Sequence, residues 1–291
     1  MQIILWIISS LFWSITDSVW KKAVLISKLP QSLFAIFGPI TWIVIIYFMI
    51  YLWSINQNLY TDYKIIFIIL IIACISYLNT FLYINIYKKV KLSQLLPYKN
   101  LDKIFIVLFG FILFYWTKNG TSITSFLITL ATIFIIFFFS VDIKKVSFSK
   151  DILNFFIVKF LEAVITLLVW YIFLSYTTVE YLSIETIFFI SIAIIASILQ
   201  KNSLKLLFTQ KKEFYKYRMW ASFIGWIWFI IWLYIIETSG VLIATLLSFI
   251  GLVFQILSMK FILNDTPEKK QIILAFIVMF MIWIWYFFKD L

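Results

Sequence analysis

The sequence predicts an all-α membrane protein of ten transmembrane helices, arranged as two inverted five-helix halves. Three observations carry that expectation. Hydrophobic residues make up 64% of the 291-residue chain and charged residues only 13%, with a mean hydropathy of +1.06; a soluble domain carries roughly a quarter charged residues. The apolar residues are gathered into ten nearly uncharged stretches separated by short polar turns. A bilayer core takes about 20 apolar residues to cross, and in hydrocarbon each backbone N–H and C=O must be satisfied within its own segment, so these stretches have to be helices. Finally, five stretches fall on either side of a polar connector. An odd number of spans makes the second half enter the membrane in the opposite direction, the arithmetic of an inverted repeat.

In order, the first half (residues 1–141) holds Ile3–Leu25, Ser32–Trp53, Lys64–Tyr87, Leu92–Trp116 and Ser122–Phe139. Met1–Leu25 lacks a basic start and a small-residue cleavage site, so it reads as the first span rather than a cleaved leader. The polar run Ser140–Asp151 supplies the connector, taken as residues 142–151. The second half (residues 152–291) holds Ile152–Tyr176, Ile184–Leu207, Tyr217–Ile236, Ser239–Leu263 and Gln271–Phe288, the apolar run of the seventh span stopping near Leu199. Both halves close alike: Phe111-Ile112-Leu113 leads through a polar turn to Ser122–Phe139, and Phe261-Ile262-Leu263 leads through another to Gln271–Phe288.

Absences bound the chemistry. The chain has no histidine and one cysteine, Cys74. That removes His-based nucleophile pairs, histidine-rich zinc sites and the commonest neutral-pH proton carrier, and any internal disulfide; Cys74, inside an apolar run, reads as a small core-packing residue. No phosphate loop, dinucleotide fingerprint or metal-ligand spacing is present, so the expectation is a protein that is not an enzyme and takes no metal or cofactor. The net charge of +11 does not point to nucleic acid, because the basic residues stand in the turns, where anionic lipid headgroups are met. The turns after odd-numbered spans hold Lys21, Lys22, Lys28, Lys88, Lys89, Lys91, Lys144, Lys145, Lys150, Lys201, Lys205, Lys211, Lys212, Lys216, Arg218, Lys269 and Lys270, against Lys64, Lys118 and Lys289 on the other side. The positive-inside rule places the lysine-rich side in the cytoplasm, and both termini outside.

A charge at the bilayer centre costs about 2.5–3.5 kcal/mol on insertion scales, so each polar group inside a span asks for a reason. In span one, Ser10, Ser14, Asp17 and Lys21 form one stripe at helical spacing, while Trp6, Trp13 and Trp20 repeat every seven residues on another side. The stripe reads either as a packing face, with Asp17 neutralised by Lys21 at i+4, or as a cavity lining. Span four carries Ser93, Pro97, Lys99, Asn100, Asp102 and Lys103; Pro97 frees a backbone carbonyl, and broken helices at polar clusters hold ions and substrates in transporters. The alternative is lysines reaching out to headgroups. Span three adds Asn79, Thr80, Tyr83 and Asn85, and span six the i+3 pair Lys159 and Glu162. Span nine presents Thr245, Ser248, Gly251, Gln255 and Ser258 on one small, polar face, which suits close packing as well as a cavity. Glu180, Glu185 and Glu237, at span ends, read as solvated.

These features together resemble the EamA-like branch of the drug/metabolite transporter superfamily: two five-helix halves, Trp13 followed eight residues on by Lys21, and Ser93 to Pro97 as a Ser-x-x-x-Pro element opening span four. The segments Phe111–Phe139 and Gly240–Phe288 resemble that family's last two helices of each half. The resemblance covers essentially the whole chain on short, degenerate motifs. Ser14 stands where a glycine is usual, the basic residue early in span two is missing, and Asn264-Asp265 and Pro267 replace a glycine-glutamate turn.

The resemblance implies a ten-helix bundle around a central cavity, export or exchange of small metabolites (commonly amino acids or related compounds), and termini usually in the cytoplasm, against the lysine count. The reading that follows is a secondary-active transporter in the cytoplasmic (inner) membrane, monomer or homodimer, working by alternating access. Ser14, Asp17, Lys21, Asn79, Tyr83, Asn100, Asp102, Glu162, Thr245, Ser248 and Gln255 are its expected substrate-binding residues, and Asp17, Asp102 and Glu162 the candidate groups for proton coupling. The competing reading is a subunit of a flippase for lipid-linked substrates or a non-transporting scaffold, with Tyr217–Ile236 and Gln271–Phe288 as lipid or partner faces.

Overall fold

The computed structural model describes residues 2–37, 57–95, 98–117, 130–131 and 150–265, with scattered positions between 269 and 284. Among them every regular element is helical: α1 (Gln2–Ile26), α2 (Tyr63–Lys89), α3 (Leu101–Thr117), α4 (Lys150–Phe173), α5 (Thr178–Leu199), α6 (Lys212–Ser239), α7 (Val241–Ser248) and α8 (Ile250–Leu263), with short turns of helix at Gln57–Thr61, Leu92–Leu95 and Leu204–Phe208. α2, α4, α5 and α6 are each long and apolar enough to cross a membrane, which marks a multi-pass membrane protein. Most of expected spans two, five and ten, the connector and Pro97 lie outside the described residues, and with them the likeness between the ends of the two halves.

The helix ends explain several boundaries. α5 starts six residues before the expected Ile184 because Thr177 and Glu180 form a reciprocal capping box. The Glu180 carboxylate accepts from Thr177 N at 2.7 Å, and Thr178 N and Oγ1 donate to Glu237 at 3.1 and 2.7 Å. Glu180 is therefore buried and Glu237 half-buried, and Glu185, further along α5, is buried as well, not solvated as their position at span ends suggests. At the same end Asp62 caps α2 through Ile65 N and accepts from Tyr176 Oη at 2.9 Å. The seventh span closes at Leu199 as the apolar run does, with Lys201 left-handed at φ 56° and Asn202 N bonded back to Ser197 O. α8 ends on Asn264 at φ 54°, and Asp265 then accepts from Ser93 N at 3.0 Å, tying this turn to the start of span four.

The expected fourth span is broken and the expected ninth is divided into two helices. Expected span four is one helical turn at Leu92–Leu95, a turn at Lys99 and Asn100, and then α3. Expected span nine passes from α7 to α8 at Phe249, whose backbone stays right-handed helical at φ −65° and ψ −20°. Cys74 is exposed on the outer side of α2 rather than packed in the core; its neighbour Ala73 takes the buried position.

Two groups of helices result. α1 lies against α6 and α8, while α2 lies against α4 and α5, and α3 against α4. The first group is held by close backbone approach. A Cβ placed on Gly225 of α6 would come within 2.7 Å of Thr16 Cγ2, and one on Gly251 of α8 within 2.7 Å of the Trp13 ring. In lipid, where apolar burial gives no drive, such close contact supplies the association. Gly251→Val is accordingly expected to lower the thermal midpoint in detergent by about 3–10 °C, the overpacking cost of about 1–3 kcal/mol; a variant melting with the wild type would show that the Trp13 ring is not packed there.

Candidate functional site

Between the two groups lies a cavity of about 410 Å³, walled by α1, α2, α4, α5 and α6 and closed by the start of α3 and the end of α7. Ligand sites occupy about 300–1,000 Å³. The face of α1 that looks into it is the tryptophan face, with Trp6, Trp13 and Trp20 joined by Ser10 and Asp17. The serine side of the helix turns the other way. Ser14 Oγ donates to Ser10 O at 2.8 Å and lies 2.9 Å from Gly251 O, and Ser18 and Ser258 share a hydrogen bond of 2.9 Å. The polar stripe of span one is thus divided: Ser10 and Asp17 line the cavity, Ser14 packs against α8, and Lys21 turns to the Val90 carbonyl.

Asp17 is the hub of the site. Its Oδ1 accepts from Tyr87 Oη at 2.5 Å, and its Oδ2 accepts from Gln255 Nε2 at 2.6 Å and from the Lys99 ammonium. The partner of Asp17 is therefore Lys99 from the broken part of span four, not Lys21 at i+4. Lys21 instead donates to the Val90 carbonyl. The Lys99 side chain is 2% exposed, and its ammonium lies 4.5 Å from the centroid of Trp13. It does not reach out to the headgroups.

A second charged cluster stands across the cavity. Asp102 pairs with Lys103 at 2.6 Å and lies 4.0 Å from Lys159, which in turn holds Glu162 at 2.6 Å. Two acids thus share the Lys159 ammonium. Tyr83 presents its ring 5.5 Å from the same ammonium, and Trp20 meets Tyr83 edge-on at 6.2 Å.

Of the residues expected from the sequence, the structure brings Asp17, Asn79, Tyr83, Asp102, Glu162 and Ser248 onto the wall of the cavity. Ser14, Lys21, Asn100, Thr245 and Gln255 are not on it. Ser14 bridges α1 and α8, Gln255 acts through Asp17, and Thr245 Oγ1 bonds its own helix at Val241 O, 2.7 Å away. The polar face of span nine is accordingly mainly a packing face, with Ser248 its member on the cavity.

Sequence reasoning missed Arg218 and Glu185, and left Lys99, Lys103 and Lys159 out of the expected site. Arg218 was placed in a lysine-rich turn, but α6 begins at Lys212, so Arg218 falls on its second turn and lines the cavity at 5% exposure. Glu185 is 7% exposed on the same wall and has no hydrogen bond or ion pair among the described residues. Several buried polar atoms also lack a partner, among them Asn79 Oδ1, Thr186 Oγ1 and Arg218 Nε on the wall. Leaving such an atom unpaired costs about 1–3 kcal/mol, which favours water or a solute against them.

Among the described residues no cluster of three or more His, Cys, Asp or Glu side chains is arranged to hold a metal ion. What the arrangement can do is hold a small polar solute between fixed charges and aromatic rings, away from lipid. The chain matches no protein-family model and no curated protein.

Proposed function

We propose that the chain is a secondary-active transporter, an exporter or exchanger of small metabolites such as amino acids or related compounds, working by alternating access around this cavity. The single observation that carries the reading is a solute-sized space with four acids and four bases on its wall: Asp17, Asp102, Glu162 and Glu185 with Lys99, Lys103, Lys159 and Arg218. A protein that only packed against lipid or a partner has no use for so many buried charges, each costly in a bilayer. Rocking of the α1/α6/α8 group against the α2/α4/α5 group would open the space to either side. Ten spans in two inverted halves, the arrangement of the EamA-like transporters that the sequence resembles, suit such a movement.

The orientation we propose puts the basic end in the cytoplasm. At that end Lys28 N donates to Gln210 at 3.1 Å, Lys89 meets Asp151 at 3.4 Å and the Lys22 ammonium lies 4.7 Å from the Tyr217 ring centroid. Asp62, Glu180 and Glu237 gather at the other end. Thiol labelling of single cysteines in a Cys74→Ser background, in intact and in opened cells, tests both points. Asn79→Cys is expected to react with a small hydrophilic reagent, Tyr63→Cys to react in intact cells, and Lys205→Cys only in opened ones. A protected Asn79→Cys would favour the scaffold, which draws support from the exposed Met219, Trp220 and Phe223 on α6; the reverse pattern at 63 and 205 would invert the orientation.

A further inference from the structure

The charges around the cavity are not equally provided for. Lys99 is held by Asp17, Lys103 by Asp102, and Lys159 by Glu162. Arg218 has no carboxylate partner among the described residues. Its Nη1 donates to Ser222 Oγ at 3.2 Å, a residue one turn along its own helix, and its guanidinium carbon lies 4.8 Å from the Phe34 ring centroid. Nε is buried without a partner. Glu185 does not neutralise it: no ion pair joins the two. Arg218 stands ten residues before Trp228 on α6, about 15 Å along the helix, and Trp228 meets Trp13 at 6.4 Å on the cavity wall.

A guanidinium presents a rigid fork of N–H donors matched to the two oxygens of a carboxylate, or to those of a phosphate. Held in a fixed place with one donor idle, it is a counter-charge waiting for an anion. The surfaces next to it are aromatic. Phe34 underlies the guanidinium, and Trp20 packs edge-on against Phe34 at 5.6 Å and continues along the wall to Tyr83.

We propose that Arg218 is the anion-binding residue of the cavity, and that the solute is an organic anion whose carboxylate or phosphate lies on the guanidinium while an apolar or aromatic body lies against Trp20 and Tyr83. The inference deepens the transport reading by naming the substrate class, and rests on the same cavity. The three lysines along the wall each have a carboxylate of their own, so an anion can bind Arg218 without breaking an existing pair.

The test is thermal stabilisation of the full chain in detergent by phenylacetate, by its neutral isostere phenylacetamide and by inorganic phosphate. Phenylacetate is expected to raise the melting midpoint of the wild type by about 4 °C at ten times its half-saturating concentration, and phenylacetamide to leave it unchanged. A rise with phosphate as well would assign the site to the oxyanion alone, and no rise with phosphate would add the aromatic body to the recognition. Arg218→Gln is expected to abolish the phenylacetate response and Arg218→Lys to weaken it at least tenfold in half-saturating concentration, since a point charge replaces a fork. Should Arg218→Gln fail to fold, the acid–amide comparison on the wild type and the Arg218→Lys titration still decide. Equal stabilisation by acid and amide, no stabilisation by either anion, or an unchanged response in Arg218→Gln overturns the site. Because binding is read without transport, that failure with Asn79→Cys still reactive removes the anion site alone, whereas binding with Asn79→Cys protected removes the transport reading alone.

Discussion

Replacing Lys99 with methionine should lower the thermal midpoint by about 10 °C, the largest loss of stability expected of any single substitution in the site. The ammonium and the Asp17 carboxylate are 2% and 13% exposed at the side chain. Both are largely withdrawn from bulk solvent. Removing one member of such a pair leaves the other charge uncompensated, which costs about 3–5 kcal/mol, and each kcal/mol moves the midpoint of a chain of this size by about 2–4 °C. Asp17→Asn should cost less, since the amide oxygen can still accept from Tyr87, while Gln255 can turn its unpartnered Oε1 to accept from the new Nδ2. The double variant Asp17→Asn with Lys99→Met should then recover at least half of the loss, because a methionine beside a neutral amide leaves no buried charge. A thermodynamic cycle built from the four midpoints reads the coupling directly. Additive single effects would show that the two charges are solvated separately, and would dissolve the hub around which the site is built.

How far the molecule was readable in advance follows from what each residue type reports. Apolar run length reports a helix, so α1, α2 and α4 fall within a few residues of their expected limits. A charged residue in an apolar run reports a buried group, so Asp17, Asp102 and Glu162 were recognisable. Partners were not. The i+4 rule points only along one helix, and so it paired Asp17 with Lys21, whereas Lys99 reaches Asp17 from a different segment across 82 positions. Flanking context misled in the same way at Arg218 and Glu185. One follows a run of lysines and the other stands at the start of its expected span, where it reads as solvated, and both are buried because the helices start earlier than hydropathy alone shows: α6 at Lys212, and α5 at Thr178 under the capping of Thr177 and Glu180. A capping box is readable from sequence; Thr177-x-x-Glu180 was the available signal for the early start of α5, and with it for the burial of Glu185.

Asp102→Asn is expected to abolish proton-gradient-driven uptake of amino acids into proteoliposomes while leaving the yield of folded protein intact. Asp17 is tied by three donors from three parts of the chain, which leaves it little freedom to move. Asp102 is held differently. One of its oxygens meets Lys103 at 2.6 Å, while Oδ1 lies 4.0 Å from Lys159 and accepts no hydrogen bond. Lys159 meanwhile has Glu162 at 2.6 Å, so it can be satisfied with or without Asp102. Protonation of Asp102 would release its hold on Lys103 and free that cation at the mouth of α3, while Lys159 stays neutralised. This is a local charge change at an element already interrupted before Leu101, where a small shift of the broken span is less costly than in a continuous helix. Asparagine mimics the protonated acid in shape and charge and cannot return the proton, so exchange of substrate down its own gradient should persist while accumulation against it is lost. Measuring both modes in the same vesicles, with radiolabelled amino acids, separates the outcomes. Accumulation retained by Asp102→Asn would remove this carboxylate from the coupling step, and loss of exchange together with accumulation would make it a residue of the binding wall instead.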